Sequence, residues 1–159
     1  LDGDGAVTTA DVRRLTQEQA VDIFIRHYFI RPGIAKLPES IQASAFDMYV
    51  NAGANAVKIL QRLLCDMGQK IAVDGVIGPQ TAAAAARAER AGPRHFADAY
   101  GIARRNYYFR LADRRPASRK YARTRAGGKG GWIRRAEDFI SPRYHLTDAE
   151  FGRRVAAWG

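Results

Sequence analysis

The chain has 159 residues and a hydrophobic content of 47%, which is enough for one compact domain with a buried core. Its longest uninterrupted apolar stretch is the alanine run at 82–86, which is far too short to span a bilayer. The single cysteine, Cys65, excludes an internal disulfide. The formal net charge is +10, and residues 94–135 alone hold thirteen Lys and Arg against two acids.

Residues 1–14 contain part of a calcium-loop pattern followed by a short helix. A twelve-residue calcium loop would take its candidate metal ligands from Asp2, Asp4, Thr8 and Asp11. The first ligand position would lie before the first residue of this sequence, so we expect weak calcium binding at most. A Gly-Asp surface turn with Thr9 as helix N-cap explains the same residues. The sequence indicates no required cofactor, and calcium is the only ion for which it contains a candidate site.

The remaining residues predict helices almost throughout, so we expect an all-α fold. A capping box at Thr16 and Gln19 begins a helix with an apolar face, which should end before Pro32. Further helices are predicted from 38 or 39 to about 52, around 57–64, over 79–91, over 96–112 and from 147 to about 158. Glycines at 127, 128, 130 and 131 predict a flexible loop.

An Asp- and Gly-rich turn follows the third of these helices. Gln61 lies thirteen residues before Asp74, and Gly75, Gly78 and Thr81 complete the pattern. Any α protein can use such a helix–turn–helix corner. The combination of an LQ-bearing helix and DGxxGxxT also resembles the repeat of small peptidoglycan-binding modules, which makes bacterial peptidoglycan a candidate partner.

Five segments follow one another in the order found in the family 108 glycoside hydrolases. They are LTQEQA at 15–20, FDMYVNAG at 46–53, LQ at 60–61, DGVIGPQT at 74–81 and GWIRR at 131–135. The resemblance implies a single lysozyme-like helical domain. It also implies an endolysin-type N-acetylmuramidase that cleaves the β-1,4 bond between N-acetylmuramic acid and N-acetylglucosamine.

The same resemblance divides the chain after residue 14. Residues 15–53 are similar to the C-terminal part of the catalytic region, and residues 54–140 to the peptidoglycan-binding half. Residues 141–159 would form a C-terminal helix. That helix has an apolar face beside Arg153 and Arg154, so it would pack on the domain or touch a membrane.

The catalytic glutamate of the family is missing from this sequence. Family members carry it upstream in a Glu-Gly-Gly motif, and no Glu-Gly-Gly occurs here. The glutamates present are Glu18, Glu39, Glu89, Glu137 and Glu150, and none has the pattern of an acid held in an apolar cleft. We therefore expect the chain alone to be inactive, with Asp47 as the fallback if it is not.

Polar and aromatic residues around 47–55 suit half of a sugar cleft. Asp47 and Asn51 share one helix face because they are four residues apart. The candidate substrate-binding residues are Tyr49, Asn51, Asn55 and Trp132. Helix capping explains the asparagines equally well, and a core anchor explains Trp132.

Two other functions fit parts of the sequence. The DGxxGxxT segment alone supports a peptidoglycan-binding module without catalysis. The basic segment suits nucleic acid or anionic cell-wall and outer-membrane polymers. Nucleic acid is the weaker choice because no helix-turn-helix signature, zinc-ligand spacing or RNA-recognition pattern accompanies the charge. The start of the sequence has no signal-peptide pattern, so the location of the protein stays open.

Overall fold

A computed structural model describes residues 8–159, except for the side chains of Ala10 and Asp11. Over these residues the protein is all-α, as predicted. The helices are α1 (Thr9–Arg14), α2 (Gln17–Ile25), α3 (Glu39–Ala52), α4 (Asn55–Asp66), α5 (Pro79–Ala91), α6 (Pro93–Arg114), α7 (Arg119–Ala122), α8 (Gly131–Glu137) and α9 (Asp148–Val155). A π-helical turn, Arg26–Ile30, continues α2, and short 3-10 turns occupy Ile34–Lys36, Pro116–Ser118, Pro142–Tyr144 and Ala156–Trp158.

The helix ends follow the local signals in the sequence. Both capping boxes form, with the Thr16 hydroxyl accepting from the Gln19 N–H at 3.2 Å and Thr147 paired in the same way with Glu150. Pro79 opens α5, where its missing N–H costs no hydrogen bond. Gly92 separates α5 from α6.

Helix α6 is the centre of the molecule and packs against α3, α4, α5 and α8. The largest fully buried apolar side chains contributed by these elements are Ile41, Met48, Leu60, Leu64, Phe96, Tyr100, Tyr108, Phe109 and Ile133. Because α6 lies between its neighbours, its inner face must satisfy every polar group that it buries. Its outer face is free to carry charge.

The apolar face of α2 is not part of this core, although the sequence pattern predicts a core-facing stripe. Val21 is 54% exposed, Phe24 44% and Ile25 40%. The Phe24 ring lies 6.2 Å from the ring of Phe46 in α3. A helical period shows that a helix is amphipathic and does not show which surface covers its apolar face.

The glycine-rich loop is ordered by close packing, which corrects the expectation of a flexible loop. The Gly130 N–H donates to the Ala122 carbonyl at 2.8 Å, and the Thr124 N–H donates to the Gly128 carbonyl at 2.9 Å. A Cβ atom at Gly130 would lie 2.5 Å from the Tyr121 carbonyl oxygen. Glycine is therefore needed because two backbone segments touch at this position.

The C-terminal helix packs on the domain. Phe151 and Val155 are buried, and the Trp158 ring lies 6.1 Å from the ring of Phe109. The Trp158 Nε1–H donates to Asp113 at 2.8 Å, which fixes the end of the chain to α6. With its apolar face used in this way, α9 has none left for a membrane surface. No helix among the described residues is long and apolar enough to cross a bilayer.

Candidate functional site

The DGxxGxxT turn is held by one buried side chain, that of Gln61 on α4. The Gln61 amide nitrogen donates to Asp74 Oδ1 at 2.7 Å and to the Val76 carbonyl at 3.0 Å, and it lies 3.2 Å from Thr81 Oγ1. The Gln61 carbonyl oxygen accepts from the Gly75 N–H at 2.8 Å. A buried amide needs partners for both ends, and this turn supplies them.

Asp74 and Gly75 complete the turn. Hydrogen bonds from Gln61 and from the Val76 N–H lower the pKa of the Asp74 carboxyl. Gly75 has φ +85, a left-handed conformation that favours glycine. A Cβ atom at this position would lie 3.1 Å from the Lys58 side chain and 3.3 Å from the Ala54 Cβ. Gly78 then leads into α5, where Thr81 is buried. The polar groups of this pattern bind one another, so its observed role is to join α4 to α5.

Asp47 is the centre of a second polar network, which joins α3, α6 and α8. Its Oδ2 accepts from the Arg104 guanidinium at 2.5 Å and its Oδ1 from the Arg135 guanidinium at 2.6 Å. Arg104 is fully buried and also donates to Ser44 at 2.8 Å. Both carboxylate oxygens of Asp47 are thus used in interhelical ion pairs. A glycosidase acid needs instead an apolar setting that keeps its proton available.

The predicted substrate-binding residues do not form one cluster. The Tyr49 ring meets the edge of Tyr28 at 6.5 Å, and the Asn51 side chain donates to the Asp47 carbonyl one turn earlier at 2.8 Å. Trp132 is stacked on Tyr108 at 4.9 Å. Asn55 alone lies on a substantial groove. Its Nδ2 donates to the Ala52 carbonyl at 3.1 Å.

Glu137 is the one buried glutamate among the described residues, and it too is structural. It binds Arg105 at 2.9 Å, Lys129 at 2.6 Å and the Leu146 N–H at 2.8 Å. Burial acts to raise the pKa of Glu137, but these hydrogen bonds and charges outweigh it and hold the pKa below its ordinary value. A general acid for glycoside hydrolysis needs the opposite shift.

The other carboxyl groups with perturbed pKa values are shifted in the same direction as Glu137. Arg154 and Trp158 lower the pKa of Asp113 by donating hydrogen bonds to it. The N-cap residue Thr147 lowers the pKa of Glu150 by the same means. In residues 8–159, therefore, every carboxyl group with a shifted pKa favours the ionised form.

A groove of about 1070 Å³ runs between α4 and α6. Its inner wall is apolar and includes Ile59, Leu63, Ile102 and Leu111, with the half-buried Tyr107 beside them. This volume is at the upper end of the range for pockets that enclose small ligands. The groove therefore has the size and shape of a binding site.

Exposed polar side chains surround this apolar wall. They are Asn55, Arg62 and Asp66 on α4, Asn106, Arg110 and Arg114 on α6, and Arg115 directly after it. None of the four guanidinium groups forms an ion pair or a hydrogen bond with the described part of the chain, and Asp66 is the single carboxylate among the residues that line the groove. The groove thus presents unpaired guanidinium groups next to apolar surface.

Sequence reasoning missed this groove, although its signal was present. Tyr107, Arg110, Arg114 and Leu111 are spaced by three or four residues, which places them along one side of a helix. The sequence does not show which side faces the core, because tyrosines and arginines occur on every side of α6. Burial decides the matter, since Arg104 and Arg105 face inwards and Arg110 and Arg114 outwards.

The partial calcium loop lies largely outside the described residues. Asp2 and Asp4 precede residue 8, and the side chain of Asp11 is also outside the description. The Thr8 carbonyl accepts a hydrogen bond from the Val12 N–H at 3.2 Å. Among the residues that are described, no group of three metal-binding side chains comes together. The calcium loop stays a prediction.

Comparison with known proteins assigns the family. The model of the predicted peptidoglycan domain matches residues 55–137, which is more than half of the chain. The chain belongs to the predicted peptidoglycan domain family. The Glycosyl hydrolase 108 model matches residues 2–53, so the two matches meet where α3 ends and α4 begins. The resemblance read from the sequence is thereby confirmed, and it gives this family member a peptidoglycan-related function.

A solved structure supports the same fold. The chain is similar to the structure described as that of Brucella abortus SagA, with 25% sequence identity and a TM-score of 0.53. The similarity covers 84% of this chain and 70% of the SagA chain. No curated protein is significantly similar to the chain in sequence. The groove lies entirely within the part that defines this peptidoglycan domain, since its residues run from 55 to 115.

Proposed function

We propose that this chain binds bacterial peptidoglycan through the groove between α4 and α6. One observation carries the proposal: a groove of about 1070 Å³ lies wholly inside the segment matched by the peptidoglycan-domain model. The groove combines an apolar wall with amide and guanidinium donors, which is the composition expected of a carbohydrate or peptide site. The Gln61 turn and the Asp47 ion pairs support it indirectly, because they fix α4 and α6 in place.

We further propose that the chain works as part of a family 108 N-acetylmuramidase. In that reaction a glutamic acid protonates the oxygen of the β-1,4 bond while a water or a second carboxylate acts on the other face of the sugar ring. Asp47 and Glu137 hold guanidinium or ammonium groups instead. Residues 8–159 would therefore bind peptidoglycan but should not cleave it on their own.

The test measures binding and cleavage in one sample. Purified sacculi are incubated with the chain, the pelleted protein is quantified, and new reducing ends are assayed in the supernatant. We expect pelleting without new reducing ends. Protein that stays in the supernatant would contradict the binding proposal. Release of reducing ends that disappears in Asp47→Asn, while circular dichroism and sacculus binding show that the variant is still folded, would show that Asp47 takes part in catalysis after all.

A further inference from the structure

We infer that the groove between α4 and α6 recognises the acidic stem peptide of peptidoglycan rather than its glycan strand. The inference rests on the proposed function and specifies which part of the polymer the groove binds. It is carried by the unpaired arginines of the groove and by the apolar wall between them.

The arginines of α6 fall into two groups. Arg104 and Arg105 are buried and bind Asp47 and Glu137. Arg110 and Arg114 are exposed, lie one helical turn apart on the groove side, and have no partner among the described residues. Arg62 adds a third guanidinium from the facing helix α4. Cations on two facing helices make a groove that suits an anionic ligand lying between them.

The chemistry of the polymer then selects the stem peptide. In intact peptidoglycan the lactyl carboxyl groups of the glycan strand are amide-linked to the stem peptides, so the strand offers only uncharged hydroxyl, amide and N-acetyl groups. The stem peptide carries free carboxylates along a short chain. A planar guanidinium can donate two parallel hydrogen bonds to one carboxylate, and this geometry gives arginine its preference for that group. Three or four guanidinium groups match a peptide with several carboxylates.

The apolar wall argues for a peptide over a phosphate polymer. Ile59, Leu63 and Ile102 lie beneath the arginines, and Tyr107 stands beside them. Alanine methyl groups of a stem peptide would bury this surface, which contributes roughly 25 cal/mol for each Å² removed from water. The backbone of a nucleic acid or a teichoic acid would pair with the arginines and leave the same wall exposed. Charge and apolar surface together therefore fit a carboxylate-bearing peptide.

The experiment separates the peptide from the glycan. The chain is mixed with intact sacculi and with sacculi from which an amidase has removed the stem peptides and whose freed lactyl carboxyl groups are then capped as amides. A soluble disaccharide–tetrapeptide is titrated into the chain in a calorimeter. We expect binding to intact sacculi and to the soluble muropeptide, with at least a tenfold loss on the stripped glycan. Equal binding to intact and stripped sacculi would overturn the inference while leaving the proposed function in place. Absence of binding to intact sacculi and to stripped sacculi would overturn both the inference and the proposed function.

Matched variants place the interaction in the groove. Arg110→Gln with Arg114→Gln should weaken muropeptide binding about tenfold, which corresponds to two solvent-accessible ion pairs. The control, Arg90→Gln with Arg125→Gln, removes the same charge from exposed arginines outside the groove and should bind as the parent does. Circular dichroism is used to check that every variant folds. An equal loss of muropeptide affinity in both double variants would overturn the inference. So would displacement of the chain from sacculi by duplex DNA or teichoic acid but not by the muropeptide.

Discussion

The two sides of α4 and α6 use the same kinds of side chain for opposite purposes. On the inner side, Gln61 and Arg104 are fully buried, and each has several hydrogen-bond partners. On the groove side, the side chains of Arg62, next to Gln61, and of Arg110, six residues after Arg104, are exposed and have no partner in the described residues. Composition alone cannot separate a structural arginine from one that is free to bind, but burial and partners can.

The reason is the cost of desolvation. A guanidinium taken out of water must regain its hydrogen bonds from fixed protein groups, and so the buried arginines of α6 are tied to specific carboxylates. An exposed guanidinium keeps its water and needs no protein partner. It can exchange that water for an anionic ligand at little cost to the fold. The comparison predicts that substitutions on the inner side change stability and that substitutions on the groove side change binding.

The largest effect is expected for Arg104→Leu on the inner side of α6. The variant leaves Asp47 with Arg135 as its remaining ion-pair partner and removes the hydrogen bond to Ser44. Loss of one member of a buried ion pair costs about 3–5 kcal/mol in the free energy of unfolding. Urea unfolding measures this loss. The control Arg110→Leu makes the same change on the exposed side of the same helix and should cost less than about 0.5 kcal/mol; similar losses in both would remove the distinction.

A smaller effect that depends on pH is expected for Glu137→Gln. The folded-state pKa of Glu137 lies below its ordinary value of 4.5, so its ionised form stabilises the fold above that pH. The stabilisation is lost as the pH falls through the lowered pKa. At pH 7 the variant should be roughly 2 kcal/mol less stable, since Arg105 and Lys129 lose their shared anion.

Unfolding curves at several pH values check this prediction. The stability difference between parent and variant should be constant near neutral pH and should shrink below pH 4.5. The control Glu18→Gln changes an exposed glutamate in the first turn of α2 and should show only a small difference. A Glu137→Gln difference that persists unchanged into acid would show that the charge of Glu137 is not what stabilises the fold.

Gln61→Ala should cost about 2 kcal/mol in the free energy of unfolding. The variant leaves the Gly75 N–H and the Val76 carbonyl without their buried partner. The control Gln80→Ala removes an exposed amide from the start of α5. At temperatures where both variants are folded, their binding to sacculi should equal that of the parent. A selective loss of sacculus binding by folded Gln61→Ala would instead assign this turn a direct part in recognition.

The smallest effect on stability is expected for Arg62→Gln, which lies next to Gln61 but faces the groove. The unfolding free energy should change by less than about 0.5 kcal/mol, because the side chain is exposed and unpaired. Muropeptide affinity should fall about threefold, as expected for one solvent-accessible ion pair. Arg90→Gln is the matched control. A stability loss comparable to that of Gln61→Ala would show that Arg62 belongs to the structural network.

Much of the fold was predictable because its signals are local. Thr16 and Thr147 begin helices through hydrogen bonds to residues three positions later, and the Gly92–Pro93 pair divides α5 from α6. The apolar periodicity that predicts α3 and α6 is likewise a local signal, because it depends only on residues within one helix. The sequence grouped Gln61 with Asp74 and Thr81 in one pattern that spans twenty residues, and the structure adds the hydrogen bonds that join them. Short-range geometry suffices for all of these.

What the sequence by itself determined is therefore the all-α class, the approximate positions of the longer helices and the peptidoglycan-domain pattern. Only the tertiary structure decided that Asp47 pairs with Arg104 and Arg135, which are 57 and 88 residues away, that the face of α2 stays exposed, and which arginines line the groove. These outcomes depend on which helix faces meet in space. Tyrosines and arginines occur on every side of α6, so its sequence pattern does not show which side is buried. Packing against the neighbouring helices decides this.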